Sequence, residues 1–455
     1  MNLPHDFQQT MIEHLGKEAY EQLAEALSLP APTSIRLNRS KIKAEELPLL
    51  TEADSVPWCA DGFYLKERPQ FTFDPLFHAG CYYVQEASSM FLSHVLKHYV
   101  QEPVVALDLC AAPGGKSTLM LSQLPEGSLL IANEAMRQRA NILAENISKW
   151  GNPNCIVTNN FAEDFQAFGN VFDLIVCDAP CSGEGMFRKD PDSIGEWSLA
   201  NVDTCWRRQR DIASNIWHTL KEGGLFIYST CTYNSLEDEE NVAWIAKTLG
   251  AEVLSCHPMN SWGLTDTHTH FYPHQVKGEG FFISVMRKTS ADGGEGMPHR
   301  KRKEKGRTGK PATKIPAELK GWLTNGEAFT IAEDKEVFRA FPTAHADLYQ
   351  LAKSTSKVVS AGIELASMKG KNLQPCHSLA MSNSLNTTAF PTLDVEKQQA
   401  IAYLRTEALQ LPPDTPRGYV LLTYQGHPLG FVKNIGNRAN NLYPSEWRIR
   451  SGYAQ

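Results

Sequence analysis

An α/β fold with a mostly parallel sheet is predicted for the middle of this chain, and three observations carry the prediction. Between about residues 84 and 288, apolar strand-like runs alternate with helical patterns of 10–15 residues, the signature of βαβ units. The first of these runs leads into a glycine-rich turn, A-L-D-L-C-A-A-P-G-G-K-S-T (106–118). Four polar residues, Asp108, Glu134, Asp178 and Cys231, each stand where an apolar run ends. Ligands of parallel sheets bind at the carboxyl ends of the strands, so these four should converge.

The chain has 455 residues, too many for one ordinary core, so several domains are expected. Its 42% hydrophobic and 21% charged residues are those of a soluble globular protein. No apolar run approaches the roughly 18–20 residues that span a bilayer, and the N-terminus M-N-L-P-H-D-F lacks a signal-peptide pattern. A cytoplasmic protein without membrane contact is expected. Ten cysteines follow no regular spacing, and in a reducing compartment they read as free thiols. A net charge of −7 argues against indiscriminate coating of nucleic acid but leaves room for local basic patches.

Residues 1–74 form an accessory domain: Phe7, Met11 and Leu15 share one face of a helix predicted over 7–27, and T-S-I-R-L-N-R-S is strand-like. The α/β domain covers 75–288. Its strands are V-V-A-L-D-L-C, S-L-L-I-A-N-E, F-D-L-I-V-C-D, L-F-I-Y-S-T-C and F-F-I-S-V-M-R-K, with helices between them. Residues 289–315 hold five glycines and a dense run of Arg and Lys, which reads as a solvated basic linker. A domain at 316–388 is helical and mixed, with no assignable chemistry. From 389 to 455, Y-V-L-L-T-Y-Q-G-H-P-L-G-F-V-K-N-I-G predicts a hairpin with a glycine-containing turn. Beyond it, Arg438, Arg448 and Arg450 interleave with Tyr443 and Trp447, a composition that suits RNA phosphates and stacked bases.

The glycine-rich turn is not a P-loop, because the glycine required five residues before the Gly115-Lys116 pair is Cys110. Small residues throughout leave a nucleotide-like ligand able to approach the backbone at a helix N-terminus. Glu134 ends the next strand and is placed to hold ribose hydroxyls.

D-L-C-A-A-P-G-G-K, D-A-P-C-S-G-E-G and S-T-C-T, in that order, resemble the signature set of the NOL1/NOP2/Sun family of RNA cytosine-C5 methyltransferases. G-M-F-R-K-D-P-D, the N-terminal S-I-R-L-N-R-S and the C-terminal domains narrow the resemblance to bacterial members that modify 16S ribosomal RNA and end in a PUA-like RNA-binding domain. The resemblance implies a Rossmann-like, S-adenosylmethionine-dependent core with a seven-stranded sheet, an α/β accessory domain before it and α+β and PUA-like domains after it. It also implies how two cysteines are used. Carbon 5 of cytosine is a poor nucleophile, but a thiolate added to carbon 6 makes it an enamine. On the family pattern Cys231 attacks, Cys181 helps to release the product, and Asp178 positions the flipped base and stabilises the charge developing on its ring.

S-adenosyl-L-methionine is then expected along Cys110, Ala111, Ala112, Pro113, Gly114, Gly115 and Lys116, with Glu134 on the ribose and Asp178 near the methyl end. Arg139 is placed either to contact the cofactor carboxylate or to pair on the helix surface. One departure stands out: where the family often has an acid near adenine, this chain has Asn159-Asn160-Phe161-Ala162. Asn160, Glu163 or Asp164 substitutes for Ala162, or adenine is held less tightly. No metal is expected, because His268, His270 and His274 have no acidic or cysteine ligand at metal-site spacing. Lys189, after the second motif, suits contact with RNA, orientation of the catalytic loop or a plain surface position. The implied partner is 16S ribosomal RNA, within the 30S subunit or an assembly intermediate, met by a monomer. The rivals are a transfer-RNA cytosine methyltransferase and a non-catalytic assembly factor.

Overall fold

The computed structural model describes residues 1–289, 315–370 and 372–452, so all of the expected basic linker except its two end residues lies outside the described residues. Seven strands form the central sheet, in the spatial order Ala251–Leu254, Phe281–Lys288, Leu220–Thr230, Phe172–Asp178, Val105–Asp108, Leu129–Asn133 and Cys155–Thr158. The five from Leu220–Thr230 to Cys155–Thr158 pair in parallel. Phe281–Lys288 and Ala251–Leu254 run antiparallel at one edge. Leu129–Asn133 and Cys155–Thr158 are buried at every residue, as unbroken apolar runs between two layers of helices should be. The chain winds outward from Val105–Asp108 in one direction, then crosses back to Phe172–Asp178. The crevice at that reversal lies between Asp108 and Asp178, where a doubly wound sheet binds its ligand.

Two further strands complete a sheet of nine. Thr269–Phe271 pairs with Phe281–Lys288, and Val358–Ala361, from beyond the linker, pairs antiparallel with Cys155–Thr158. The second addition covers an otherwise open sheet edge.

The helix expected over 7–27 is two helices, His5–Leu15 and Lys17–Ser28, parted at Gly16, whose φ of +84° a helix cannot accommodate. Phe7 and Met11 are buried as predicted, against Phe187 and Trp197 of the central domain. The N-terminal sheet has the order Asp54–Val56, Cys59–Leu65, Thr33–Leu37, Tyr82–Val84. It therefore runs past residue 74, because Tyr82–Val84 is hydrogen-bonded to Thr33–Leu37.

The C-terminal half carries two more four-stranded sheets. The predicted hairpin is present as Gly418–Tyr424 and His427–Asn434. Arg438, Arg448 and Arg450 are exposed, but Tyr443 is not a stacking platform. Its ring is 5% exposed and packs edge-on against Tyr403 and His377 in the core.

Three domains meet at the C-terminus of the helix Arg137–Trp150. Helix ends leave carbonyls without intrahelical partners. Asn38 Nδ2 donates to the Trp150 carbonyl (3.0 Å), and Lys41 Nζ donates to that of Lys149 (2.6 Å). From the C-terminal half, the Asn383 amide donates to the Gly151 carbonyl at 2.9 Å. Asn38 is 1% exposed and also serves the Gly80 carbonyl. Asn38→Ala strands two buried acceptors, and a loss of about 2–3 kcal/mol is expected in urea unfolding.

Candidate active site

Asp178 ends one parallel strand and Thr230 ends its neighbour, so the loops that follow, 179–185 and 231–234, leave the sheet side by side. Each carries one of the two cysteines singled out in the sequence. Cys181 Sγ and Cys231 Sγ are 3.1 Å apart, and the Cys231 amide donates to Cys181 Sγ at 3.4 Å. Both are half-buried, whereas Cys59, Cys81, Cys155, Cys177, Cys205 and Cys256 are buried. Its hydrogen bond with Cys231 and its burial push the Cys181 thiol well above the ordinary thiol range. Cys181 therefore holds its proton strongly.

Two buried carboxylates hold these loops together. Glu184, fully buried, accepts from the Thr232 hydroxyl (2.5 Å) and from the amides of Tyr233 (2.6 Å) and Asn234 (3.1 Å). Its other oxygen takes the Asn234 side chain and the Trp197 indole, each at 3.0 Å. Glu237, also fully buried, accepts from the Ser182 amide, Asn234 and Gln209. The Gly185 amide donates to the Cys231 carbonyl at 2.8 Å, and a Cβ at Gly185 would lie 2.9 Å from that oxygen. Only glycine allows this approach.

The turn 110–116 enters the helix Gly115–Gln123 beside them. Lys116 Nζ pairs with Asp178 Oδ2 at 2.8 Å and lies 4.9 Å from the centre of the Phe281 ring. Burial works against its charge, but Asp178 and, more weakly, Asp108 and then Cys231 outweigh it and hold the ammonium above its usual range. Ser229 donates to Asp178 Oδ1 at 2.8 Å. A paired carboxylate and a shielded cation thus stand beside the thiols. Asp108 accepts from Ser117 at 2.6 Å through Oδ2, while its buried Oδ1 has no hydrogen-bond partner. Glu134 pairs with Arg139 (3.4 Å), and Arg139 donates to the Ala112 carbonyl at 2.8 Å.

An orphaned buried carboxylate oxygen, a small-residue turn and an acid on the next strand fit a nucleoside-type cofactor. Near Ala162, Asn160 is committed to Asp164 and to the Lys357 amide, and Asp164 caps Phe161. Lys189 lies 3.9 Å from Glu279.

The structure brings together every residue picked from the sequence: Cys110–Lys116, Glu134 and Arg139 around the turn, and Asp178, Cys181 and Cys231 beside it. Sequence reasoning missed Glu184, Glu237, Gln209 and Ser229. Glu184 sits in plain view within D-A-P-C-S-G-E-G, an acid between glycines. Glu237 is hidden in the charged run L-E-D-E-E-N, which reads as an ordinary helix start.

A reversal-point crevice with a glycine-rich turn, on this sheet order, defines a Rossmann-like methyltransferase. The family model described as 16S rRNA methyltransferase RsmB/F matches residues 95–287. Models of the N-terminal domain of 16S rRNA methyltransferase RsmF and of its PUA domain match 3–87 and 390–449. Ribosomal RNA small subunit methyltransferase F of Enterobacter sp. (strain 638) is 32% identical across 99% of this chain and 96% of its own length. The protein of that name in Aliivibrio fischeri (strain MJ11) is 32% identical across 98% and 96%. Among solved structures, a methyltransferase homolog protein from Pyrococcus horikoshii aligns with a TM-score of 0.53 at 25% identity, over 63% of this chain and all of the other. NSun6 from the same organism gives 0.54 at 22% identity, over 63% and 98%. The chain belongs to the 16S rRNA methyltransferase RsmB/F family and is a methyltransferase.

Two predictions rest on this geometry. Burial pushes the Asp108 carboxyl from 3.8 up to about 7. The folded chain then binds more protons than the unfolded one between those values, so the group's effect on stability worsens as pH rises through that window and levels off above it. Asp108→Asn should remove this contribution, on the order of 4 kcal/mol at most, seen as a flatter profile of Tm against pH. Glu184→Gln points an amide NH2 at donors that need an acceptor. Turnover should fall on the order of 100-fold from misplacement of the loops, with the dissociation constant for S-adenosylmethionine unchanged in calorimetry.

Proposed function

We propose that this chain methylates carbon 5 of a cytosine in 16S ribosomal RNA through a covalent bond between Cys231 and carbon 6 of the base. The observation that carries the reading is the contact of two thiols at 3.1 Å beside the Asp178–Lys116 pair. S-adenosylmethionine, the methyl donor of this family, supplies an electrophilic methyl group when bound. Residues 110–116, Glu134 and Arg139 would hold it.

The chain's own residues account for the rest. Cys231, with the Lys116 ammonium nearby and the Cys181 S–H as hydrogen-bond donor, reaches the thiolate form that adds to carbon 6. Asp178, fixed by Ser229 and Lys116, accepts from the exocyclic amino group of the flipped cytosine and turns the face of the ring at carbon 6 toward the Cys231 sulfur. After the methyl group is in place, a base takes the proton from carbon 5, the electron pair of that bond re-forms the carbon 5–carbon 6 double bond, and the carbon 6–sulfur bond breaks to return Cys231 as a thiolate. Cys181 assists this release. Its sulfur lies against the Cys231 sulfur and so borders the bond that must break.

The substrate follows from the relatives, which are named for the small-subunit ribosomal RNA. We assign the work to the cytoplasm and to a monomer acting on the 30S subunit or an assembly intermediate. No helix among the described residues is long and apolar enough to cross a membrane. The exposed Arg438, Arg448 and Arg450 of the PUA domain offer phosphate contacts.

The test supplies methyl-labelled S-adenosylmethionine with purified 30S subunits, naked 16S RNA or transfer RNA. Wild type should label carbon 5 of ribosomal cytosine. Cys231→Ala should abolish labelling, and Cys181→Ala should accumulate a protein–RNA adduct stable to denaturant. Label in transfer RNA alone would replace the substrate. Undiminished labelling by Cys231→Ala would discard the mechanism.

A further inference from the structure

Histidines 268, 270 and 274 lack a metal-site spacing in the sequence, but the fold gives one of them new neighbours. His14 from the last turn of the first helix, Glu239 from the start of the helix Glu239–Trp244, and His270 from the strand Thr269–Phe271 converge. Each offers a ligand atom within 4.8 Å of the other two. No other group of three such side chains comes together among the described residues.

His270, 7% exposed, has Nε2 at 2.7 Å from Glu239 Oε1. Its ring is stacked on Tyr272 at 4.8 Å and packed on Phe282, so its direction is fixed. His14 Nε2 lies 3.1 Å from the Tyr272 hydroxyl, which steadies the second ring. Several polar atoms here have no hydrogen-bond partner: Glu239 Oε2, His270 Nδ1 and Asp238 Oδ2. Asp238 is fully buried and its Oδ2 stands 4.0 Å from His270 Nδ1. A carboxylate behind a histidine, on the side away from the ligand atom, is the usual second shell of a zinc site. Buried polar atoms without partners are rare, and each calls for a missing ligand or proton.

We propose that His14, Glu239 and His270 bind a divalent transition metal of the zinc class, with Asp238 orienting His270. Two imidazoles and one carboxylate are a borderline set that suits Zn2+ over Mg2+ or Ca2+, and solvent completes the fourth position. Ligand distances of about 2.0–2.2 Å put donor atoms roughly 3.3 Å apart around a tetrahedral ion, so small side-chain rotations close the present triangle. The ion would tie the first helix to the segment after Cys231. Asp238 also accepts from Thr230, the residue before Cys231, at 2.6 Å, so the metal would stiffen the base of the catalytic loop without touching substrate.

The experiment uses the full chain with Cys181→Ala and Cys231→Ala, so that the thiol pair cannot capture the ion. After chelator treatment it is titrated with Zn2+, and with Co2+ as a coloured substitute. One equivalent should bind, with d–d absorption and no thiolate charge-transfer band, and Tm should rise. Losing an outer-shell partner alone weakens metal sites about 10–100-fold, so His14→Gln and Glu239→Gln should each weaken binding by about 100-fold or more. His14 is on the rim of its helix, and its variant decides the matter should Glu239→Gln fold poorly. Binding only at millimolar metal, or binding left unchanged by His14→Gln, overturns the proposal and leaves a hydrogen-bonded His–Glu–His cluster.

Discussion

Of the two buried carboxylates between the catalytic loops, Glu184 is the one on which their meeting most depends. Two parallel strands deliver two loops to the same edge of the sheet, and nothing in strand pairing dictates how those loops meet. Glu184 decides it, by gathering five donors from the opposite loop and from Trp197. An ionised carboxylate out of water is costly unless it is fully hydrogen-bonded, and here the bonds are supplied by the segment that must be held. Removal of any one donor leaves the charge less compensated, so the clamp is cooperative. Gly185 and the pairing of its amide with the Cys231 carbonyl then follow, because the loops are drawn close enough for only a glycine to fit.

The N-terminal domain belongs to the same construction. Arg36, fully buried, donates to Thr118 Oγ1 at 2.6 Å, to the Gly115 carbonyl at 3.3 Å and to Gln85 at 2.8 Å, and it lies over Trp150. Its guanidinium reaches from the accessory sheet into the first turn of the helix behind the cofactor loop. Asn38 and Lys41 reach the end of the helix that follows. The strand-like S-I-R-L-N-R-S therefore braces the catalytic domain as well as building its own sheet. On the far edge, Val358–Ala361 extends the central sheet from beyond the linker. The C-terminal half is thereby joined to the sheet that carries the thiols.

What could be read from the sequence divides along physical lines. Strand ends were legible because apolar runs stop where the sheet stops, and Asp108, Glu134, Asp178 and Cys231 marked those stops. The glycine turn was legible because its small residues are consecutive. Long-range partners were not. Glu237 and Glu239 look like neighbours in one acidic helix start, yet Glu237 serves the Cys181 loop and Glu239 meets His270 and His14. His14 on its own is one polar residue near the end of an amphipathic helix. Tyr443 failed in the other direction: composition grouped it with exposed arginines, while the bend after the strand Ala439–Asn441 turns its ring into the core. The edge strand at 358–361 comes from a part of the chain to which the sequence assigned no chemistry, and its pairing partner lies some 200 residues earlier.

The thiol contact itself orders the chemistry. Two sulfurs at 3.1 Å cannot both carry a charge cheaply in a half-buried site, so the first ionisation stabilises the proton on the other. The asymmetry comes from the surroundings. Glu237 adds to the pressure that keeps Cys181 protonated, while the Lys116 ammonium stands on the Asp178 side of the pair. On the proposed reading Cys231 is the sulfur that bonds to carbon 6, and the bond forms directly beside the protonated Cys181. On that reading one contact would set the order in which the two thiols act, with no movement of either loop.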